Sequence, residues 1–212
     1  TGSAVGSDQD DGNLTPVYVW SDPNGNTVGT GSTLTLTAAN SDPDAFITCT
    51  ATITDSDGAT ATSSDSDLVM NSSPSWSVSG SISPSSSVTT TSLLTCSATA
   101  TDPDGDTPAL SYSWTNSDGT TYNSTSSTLQ LTTSTTPGDV VTCTIVATDD
   151  QGDTISTTTS VTVDNTPPTI TASISANGSS NTGILTCSAT ASDADDGSAP
   201  TVSYEWSNAA GS

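Results

Sequence analysis

Residues 94–106 read LTCSATATDPDGD, and residues 185–197 read LTCSATASDADDG. The cysteines of the two copies, Cys96 and Cys187, are 91 residues apart (187 − 96). A third, weaker copy opens the chain, where residues 1–12 read TGSAVGSDQDDG and align with Thr95 onward at an offset of 94 (95 − 1). Repetition at a fixed interval indicates a tandem array, and it decides the architecture before any single motif does.

The repeat length predicts the domain organisation. A chain of 212 residues with this repeat holds two to three small domains. Short Pro-containing linkers, residues 71–74 (NSSP) and 165–168 (NTPP), separate the repeats. We predict a domain over residues 1–70 whose N-terminal strands are missing or supplied elsewhere, a complete domain over residues 74–164, and the opening strands of a further domain over residues 169–212.

Apolar residues alternate with Ser and Thr at a period of two, which is typical of β-strands with one buried face. The clearest runs are Ile47, Cys49, Ala51 and Ile53 in the first repeat and Val141, Cys143, Ile145 and Ala147 in the second. Only 30% of the residues are hydrophobic and 4% are aromatic, so we expect thin cores made of small side chains. The sequence predicts an all-β fold of antiparallel sandwiches.

Lys, Arg and His are absent from the sequence, and the formal net charge is -23. Phosphate backbones are bound by cationic side chains, so we expect no nucleic-acid partner. His-based triads, Schiff-base lysines and His-ligated zinc cannot be built from these residues, so we expect that the chain is not an enzyme. No apolar run is long enough to span a membrane. The four cysteines, none in a C-x-x-C pair, predict disulfides and an extracellular or cell-surface location.

The order Cys96, Trp114, Cys143 is that of an immunoglobulin-type domain, with cysteines on strands B and F and a tryptophan on strand C. Together with residues 101–106 (TDPDGD) and 147–153 (ATDDQGD), it resembles the tandem immunoglobulin-like repeats of bacterial and archaeal surface proteins that are related to polycystic-kidney-disease domains. The resemblance covers essentially the whole chain. It implies immunoglobulin-like sandwiches in which the B–C and F–G loops emerge at the same end.

The resemblance also implies a disulfide between Cys96 and Cys143, with two buried free thiols as the alternative. Cys49 falls on an F strand whose B-strand counterpart is Gly2, and Cys187 falls on a B strand. We expect that Cys187 pairs beyond residue 212 and that Cys49 is free. The alternative is a bridge between Cys49 and Cys187 of different copies, which would build a fibre from incomplete end domains. The first interpretation is favoured because both ends carry their own C strand.

Aspartates cluster on the loops that the resemblance brings to one end of each domain. They are Asp102, Asp104, Asp106, Asp149, Asp150 and Asp153 in the complete repeat, Asp8, Asp10, Asp55 and Asp57 in the first, and Asp193 and Asp195 in the last. Calcium takes six to eight oxygen ligands in flexible geometry, so these loops are candidate calcium sites at the junctions between repeats. Tight turns also use Asp, Gly and Pro, and the EF-hand spacing is absent, so ordinary turn chemistry is the competing interpretation.

Four Asn-x-Ser/Thr sequons begin at Asn13, Asn71, Asn123 and Asn177, although such sequons arise by chance in a chain so rich in Ser and Thr. Taken together, these features predict a structural component of an extracellular stalk, matrix fibre or filament. Its partners would be neighbouring immunoglobulin-like repeats or copies of itself. The alternative is an adhesin or carbohydrate-binding repeat of a large secreted protein, because the fold does not fix the function.

Overall fold

The computed structural model describes residues 1–132, 134–178, 182–196 and 198–208. All the secondary-structure elements in this part of the chain are β-strands. The predicted all-β class is therefore confirmed. The strands are β1 (Gly6–Asp8), β2 (Gly12–Leu14), β3 (Val17–Ser21), β4 (Thr27–Thr30), β5 (Phe46–Thr54), β6 (Thr60–Leu68), β7 (Ser75–Ser83), β8 (Leu93–Thr101), β9 (Ala109–Thr115), β10 (Thr121–Tyr122), β11 (Thr128–Gln130), β12 (Val140–Thr148), β13 (Thr154–Thr162), β14 (Thr169–Asn177) and β15 (Ile184–Ser192). No helix in the described residues is long and apolar enough to cross a membrane.

The chain divides into two compact units. Unit 1 comprises Thr1–Val78, Thr99–Leu110 and Ala147–Ile155, and unit 2 comprises Ser79–Ala98, Ser111–Val146 and Ser156–Ser212. The domain boundaries predicted from the repeat do not coincide with this division, and they stay a prediction.

Unit 1 contains an antiparallel four-stranded sheet in the order β4-β3-β5-β6. Strands β5 and β6 pair over their whole length, from Phe46 opposite Leu68 to Thr54 opposite Thr60. The tight turn between them contains Gly58, whose φ of 89° favours glycine. On β5 only Ile47 is buried. The residues from Thr48 to Ile53 are all half-buried, so the predicted alternation is not seen in the burial of this strand, and every residue of β6 is exposed.

The central repeat supplies two sheets, with strand orders β11-β8-β7 and β10-β9-β12-β13. Its core in unit 2 is small and fully closed. Leu94 and Cys96 of β8 and Val141, Cys143 and Ile145 of β12 are at most 1% exposed, as is Trp114. The alternating residues of β8 and β12 thus face the same interior. This arrangement is that of an immunoglobulin-like sandwich.

Nine-residue strands recur at the interval that the sequence repeat predicts. Strands β5, β6 and β7 are followed by β12, β13 and β14 at 94 residues (for β5 and β12, 140 − 46), and β8 by β15 at 91 (184 − 93). These matched bounds accord with the proposed repeat, while the tandem organisation itself stays a prediction.

The last predicted domain is represented by the hairpin β14–β15, in which Thr169 lies opposite Ser192 and Asn177 opposite Ile184. Its apolar residues are exposed, including Ile174 at 63%. Residues 204–206 (YEW) repeat the spacing of Tyr112 and Trp114 and therefore predict a core tryptophan on a further strand, but Trp206 is 54% exposed and residues 198–208 form no strand. The physical reason is that the core position of a tryptophan is created by an opposing sheet, and the described residues provide none there.

Candidate functional site

The predicted disulfide between Cys96 and Cys143 is present. It joins β8 to β12 and therefore links the two sheets of the central repeat. Both cysteines are buried, and the loop that they close spans 47 residues. Trp114, the third residue of the immunoglobulin pattern, is fully buried and donates from Nε1 to the Ser126 carbonyl at 2.9 Å. The bond thus locks a core that has little apolar material.

Cys49 and Cys187 are free, half-buried thiols within the described residues, and their predicted pairings stay untested. The structure nevertheless gives Cys49 a specific neighbour. A Cβ built on Gly2 would lie 2.8 Å from the Cys49 sulfur. The Gly2 amide donates to the Ser32 carbonyl at 2.8 Å, as the Cys96 amide donates to the Ser127 carbonyl at 2.7 Å. Gly2 therefore stands at the position of the missing B-strand cysteine.

The B–C loops, here the segments that begin at Asp8, Asp102 and Asp193, share one local hydrogen-bond pattern. In each loop the first aspartate accepts the backbone N–H of the residue two positions on. These bonds join Asp8 to Asp10 at 2.8 Å, Asp102 to Asp104 at 2.8 Å, and Asp193 to Asp195 at 2.9 Å. The first carboxylate thus builds the turn, which is the role that the competing interpretation gives it.

In the F–G loops, here the turns that begin at Asp55 and Asp149, the first aspartate accepts the backbone N–H four positions on. Asp149 accepts the Asp153 N–H at 2.7 Å, and Asp55 accepts the Ala59 N–H at 2.7 Å. In the first repeat, Asp11 also accepts Ser56 N–H and O–H bonds at 2.8 and 3.0 Å, which join the B–C loop to the F–G loop. The exposed Asp57 follows directly after Ser56 in that turn.

The structure brings the two acidic loops of the central repeat close together, as predicted. Asp106 is half-buried, and its pKa is raised first by burial and then by repulsion from Asp150, Asp102, Asp149 and Asp104. Ionising Asp106 therefore costs free energy in the folded chain. A bound cation or a proton would offset this repulsion.

The first linker has a role that its sequence did not predict. Asn71 donates from Nδ2 to Asp149 at 3.0 Å and to Asp153 at 3.3 Å, and Ser73 donates from its hydroxyl to Asp153 at 2.9 Å. The Asn71 bond is the largest cause that lowers the pKa of the Asp149 carboxyl. Ser72 donates to Asp104 from its backbone N at 2.6 Å and from its hydroxyl at 3.2 Å. Three successive linker residues are thus held by carboxylates of the two loops.

The second linker is held by the corresponding B–C carboxylate. The Thr166 N–H and the hydroxyl of the buried Thr90 both donate to Asp195, the latter at 2.8 Å. Asp195 is only 6% exposed, and its pKa is lowered chiefly by the Thr166 N–H. Asp195 therefore stays ionised in a site that excludes most water.

Three buried oxygens at the first junction have no hydrogen-bond donor: Asn71 Oδ1, Asp102 Oδ2 and Asp106 Oδ2. Two carboxylate oxygens and an amide oxygen are ligand types that suit calcium. Against a complete site, no three His, Cys, Asp or Glu side chains within the described ranges are grouped as metal ligands. These oxygens are thus of the types that calcium binds, and calcium binding stays a hypothesis.

A search for related proteins gives no family. No family model matches the chain, and no curated protein matches it. The resemblance to surface-protein repeats therefore stays a prediction that depends on the motifs alone.

The sequons differ in accessibility. Asn13, Asn123 and Asn177 are exposed, whereas Asn71 is half-buried. The Nδ2 of Asn71, the atom to which a glycan would be attached, already donates to two carboxylates. The geometry at Asn71 therefore favours a structural role over modification.

Proposed function

We propose that the chain is a structural segment of an extracellular stalk, matrix fibre or filament built from immunoglobulin-like repeats. The observation that carries this proposal is the buried Cys96–Cys143 disulfide, which links the two sheets of the central repeat. A disulfide of this kind persists in oxidising compartments, which supports an extracellular location. It also constrains the unfolded chain, and a domain with so few apolar residues depends on that constraint.

The linkers support a role that depends on domains arranged in series. A flexible tether needs no anchoring, yet Asn71, Ser72 and Ser73 each donate to a carboxylate, and the Thr166 N–H donates to Asp195. Such anchoring restricts the directions that the chain takes between repeats. Linkers with restricted directions make an array of repeats stiffer, as a stalk or fibre requires.

Composition supports the same proposal. The absence of Lys and Arg leaves no site for trypsin-like proteases, which benefits a protein outside the cell. The net charge of -23 favours solubility and repels similar surfaces. The absence of Lys, Arg and His also leaves out the groups used by His-based triads and Schiff-base catalysis, so a mechanical role accounts for the sequence better than a catalytic one.

Calcium is a proposed component of the first junction. Asn71, Asp102 and Asp106 would supply its oxygens, and the ion would neutralise the repulsion that raises the pKa of Asp106. The proposed stalk does not require the metal, because the disulfide and the linker hydrogen bonds are made by the protein itself.

Electron microscopy of native material, with samples prepared with and without a reductant, tests the proposal. We expect elongated particles or continuous fibres whose repeats survive without reductant and lose their regular spacing when the disulfide is reduced. Isolated globular particles that bind a glycan array would contradict the proposal and would favour the adhesin alternative.

A further inference from the structure

Each B–C loop contains an Asp-x-Asp motif, Asp102 and Asp104 in the central repeat and Asp193 and Asp195 in the last. At both linkers, the second aspartate of the motif accepts a backbone N–H of the linker. Asp104 accepts the backbone N–H of Ser72 at 2.6 Å, and Asp195 accepts the backbone N–H of Thr166. Ser72 and Thr166 are equivalent in the repeat, being 94 residues apart (166 − 72). The same contact therefore occurs at two independent places in one chain, each within a single unit.

The two aspartates of each motif have different partners: the first binds within its own turn, and the second binds the linker. Asp102 and Asp193 accept the N–H of the second aspartate at 2.8 and 2.9 Å, which fixes the turn. The second carboxylate then has both oxygens available for partners outside the loop. Asp104 uses them for the N–H and hydroxyl of Ser72, and Asp195 uses them for Thr166 and for the Thr90 hydroxyl at 2.8 Å.

The linker sequence makes these amides important. Pro74 ends the first linker, and Pro167 and Pro168 follow Thr166, so the next residues of the second linker offer no N–H. Proline also holds the preceding residue in an extended conformation. Fixing one amide just before the prolines therefore sets the direction in which the chain enters the next strand.

We propose that Asp104 and Asp195 are linker clamps: carboxylates of the B–C loop that fix the linker amide and so orient successive repeats without a metal ion. A carboxylate that accepts a backbone N–H makes a charge-assisted bond, which is stronger than a neutral one. The contribution of the clamps to stiffness rests on the proposed stalk function. The clamps themselves are tested independently of that function.

Hydrogen exchange of individual amides, followed by NMR on the whole chain in the presence of a chelator, tests the clamps. In Asp104→Ala we expect the Ser72 amide to exchange about ten- to a hundredfold faster, the change that the loss of a hydrogen bond to a charged group gives, while the Thr166 amide is unchanged. In Asp195→Ala we expect the reverse. Each variant is thus the matched control for the other.

Two further variants keep the outcome clear. Asp10→Ala changes the equivalent aspartate of the first repeat and should leave both linker amides unchanged. Asp104→Asn keeps the size and one acceptor oxygen, so its Ser72 amide should exchange at an intermediate rate. The proposal is overturned if Ser72 exchanges equally fast in Asp104→Ala and in the unsubstituted chain. It is also overturned if the acceleration at Ser72 is no larger than that at the core residue Ile145. Neither result would alter the electron-microscopy test of the stalk.

Discussion

Introducing a cysteine at Gly2 should create the disulfide that the first repeat lacks. In the unsubstituted chain a Cβ at Gly2 would lie 2.8 Å from the sulfur of Cys49. Across a disulfide, the Cβ of one cysteine lies about 3 Å from the sulfur of the other, as the bond geometry requires. The Gly2 amide also makes the same strand-to-strand bond as the Cys96 amide. Gly2→Cys should therefore oxidise without a large backbone shift.

The length of the closed loop sets the stabilisation that we expect from the new disulfide. Residues 2 and 49 are 47 positions apart (49 − 2), the same separation as in the native Cys96–Cys143 bond. Closing a loop of this length stabilises the folded state by about 4 kcal/mol in the chain-entropy model, although engineered bonds often give less. For a domain of this size, each kcal/mol raises the melting temperature by about 4–8 °C. The transition assigned to unit 1 should therefore move upward by roughly 10–30 °C and return when reductant is added.

Thiol titration provides the direct assay. The unsubstituted chain should show two free thiols, those of Cys49 and Cys187, and oxidised Gly2→Cys should show only one. Ser3→Cys places the new thiol one residue away, where the side chain is exposed, and should show three. Three thiols in Gly2→Cys after oxidation, with no upward shift of the transition, would refute the placement of Gly2 at a B-strand cysteine position.

Three further predictions concern the central repeat and its junction. Replacing Cys96 and Cys143 together by Ala should lower the free energy of unfolding by about 2–5 kcal/mol, measured by urea denaturation, and an unchanged midpoint would show that the core does not need the bond. The pKa of Asp106 is raised, so the folded chain holds that proton more tightly, and its contribution to stability is lost as the pH rises through the folded pKa. Asp106→Asn should therefore melt at a higher temperature than the unsubstituted chain at neutral pH without calcium, and the difference should shrink as the pH falls toward the ordinary value of 3.8; a constant difference would contradict the repulsion argument. Calcium should raise the melting temperature relative to a chelator, and Asn71→Ala should reduce that increase; equal midpoints in calcium and chelator would argue against the metal.

The strands and the disulfide are predictable because their signals are local or periodic. The alternation of Val141, Cys143 and Ile145 predicts a strand with one inward face, and β12 has that burial pattern. The Cys96 and Cys143 bond followed from a resemblance to a known spacing, and the structure confirms it. Trp206 shows the limit of this reasoning. The sequence identifies a core position, but burial depends on an opposing sheet that the local pattern cannot supply.

The linker contacts were not predictable in the same way. Asn71 meets Asp149 across 78 residues of sequence, and nothing in the linker motif encodes that distance. Its position inside an Asn-x-Ser sequon instead suggested modification. One signal was available: the linkers at residues 71 and 165 both begin with Asn and both lead into proline, as a constrained joint requires. This signal is incomplete, because Asn165 is exposed and its Nδ2 donates to the neighbouring Thr166 carbonyl at 3.3 Å, whereas Asn71 binds loop carboxylates.

The neutral donors at the junctions have a consequence for the medium in which the protein functions. Every carboxylate bond described above is made by an amide, a hydroxyl or a backbone N–H, because the chain has no Lys, Arg or His. Dissolved ions weaken attraction between opposite charges and repulsion between like charges alike. Among the side chains there is only repulsion to screen, because none carries a positive charge. The protein should therefore resist unfolding better at high salt concentration than at low salt concentration.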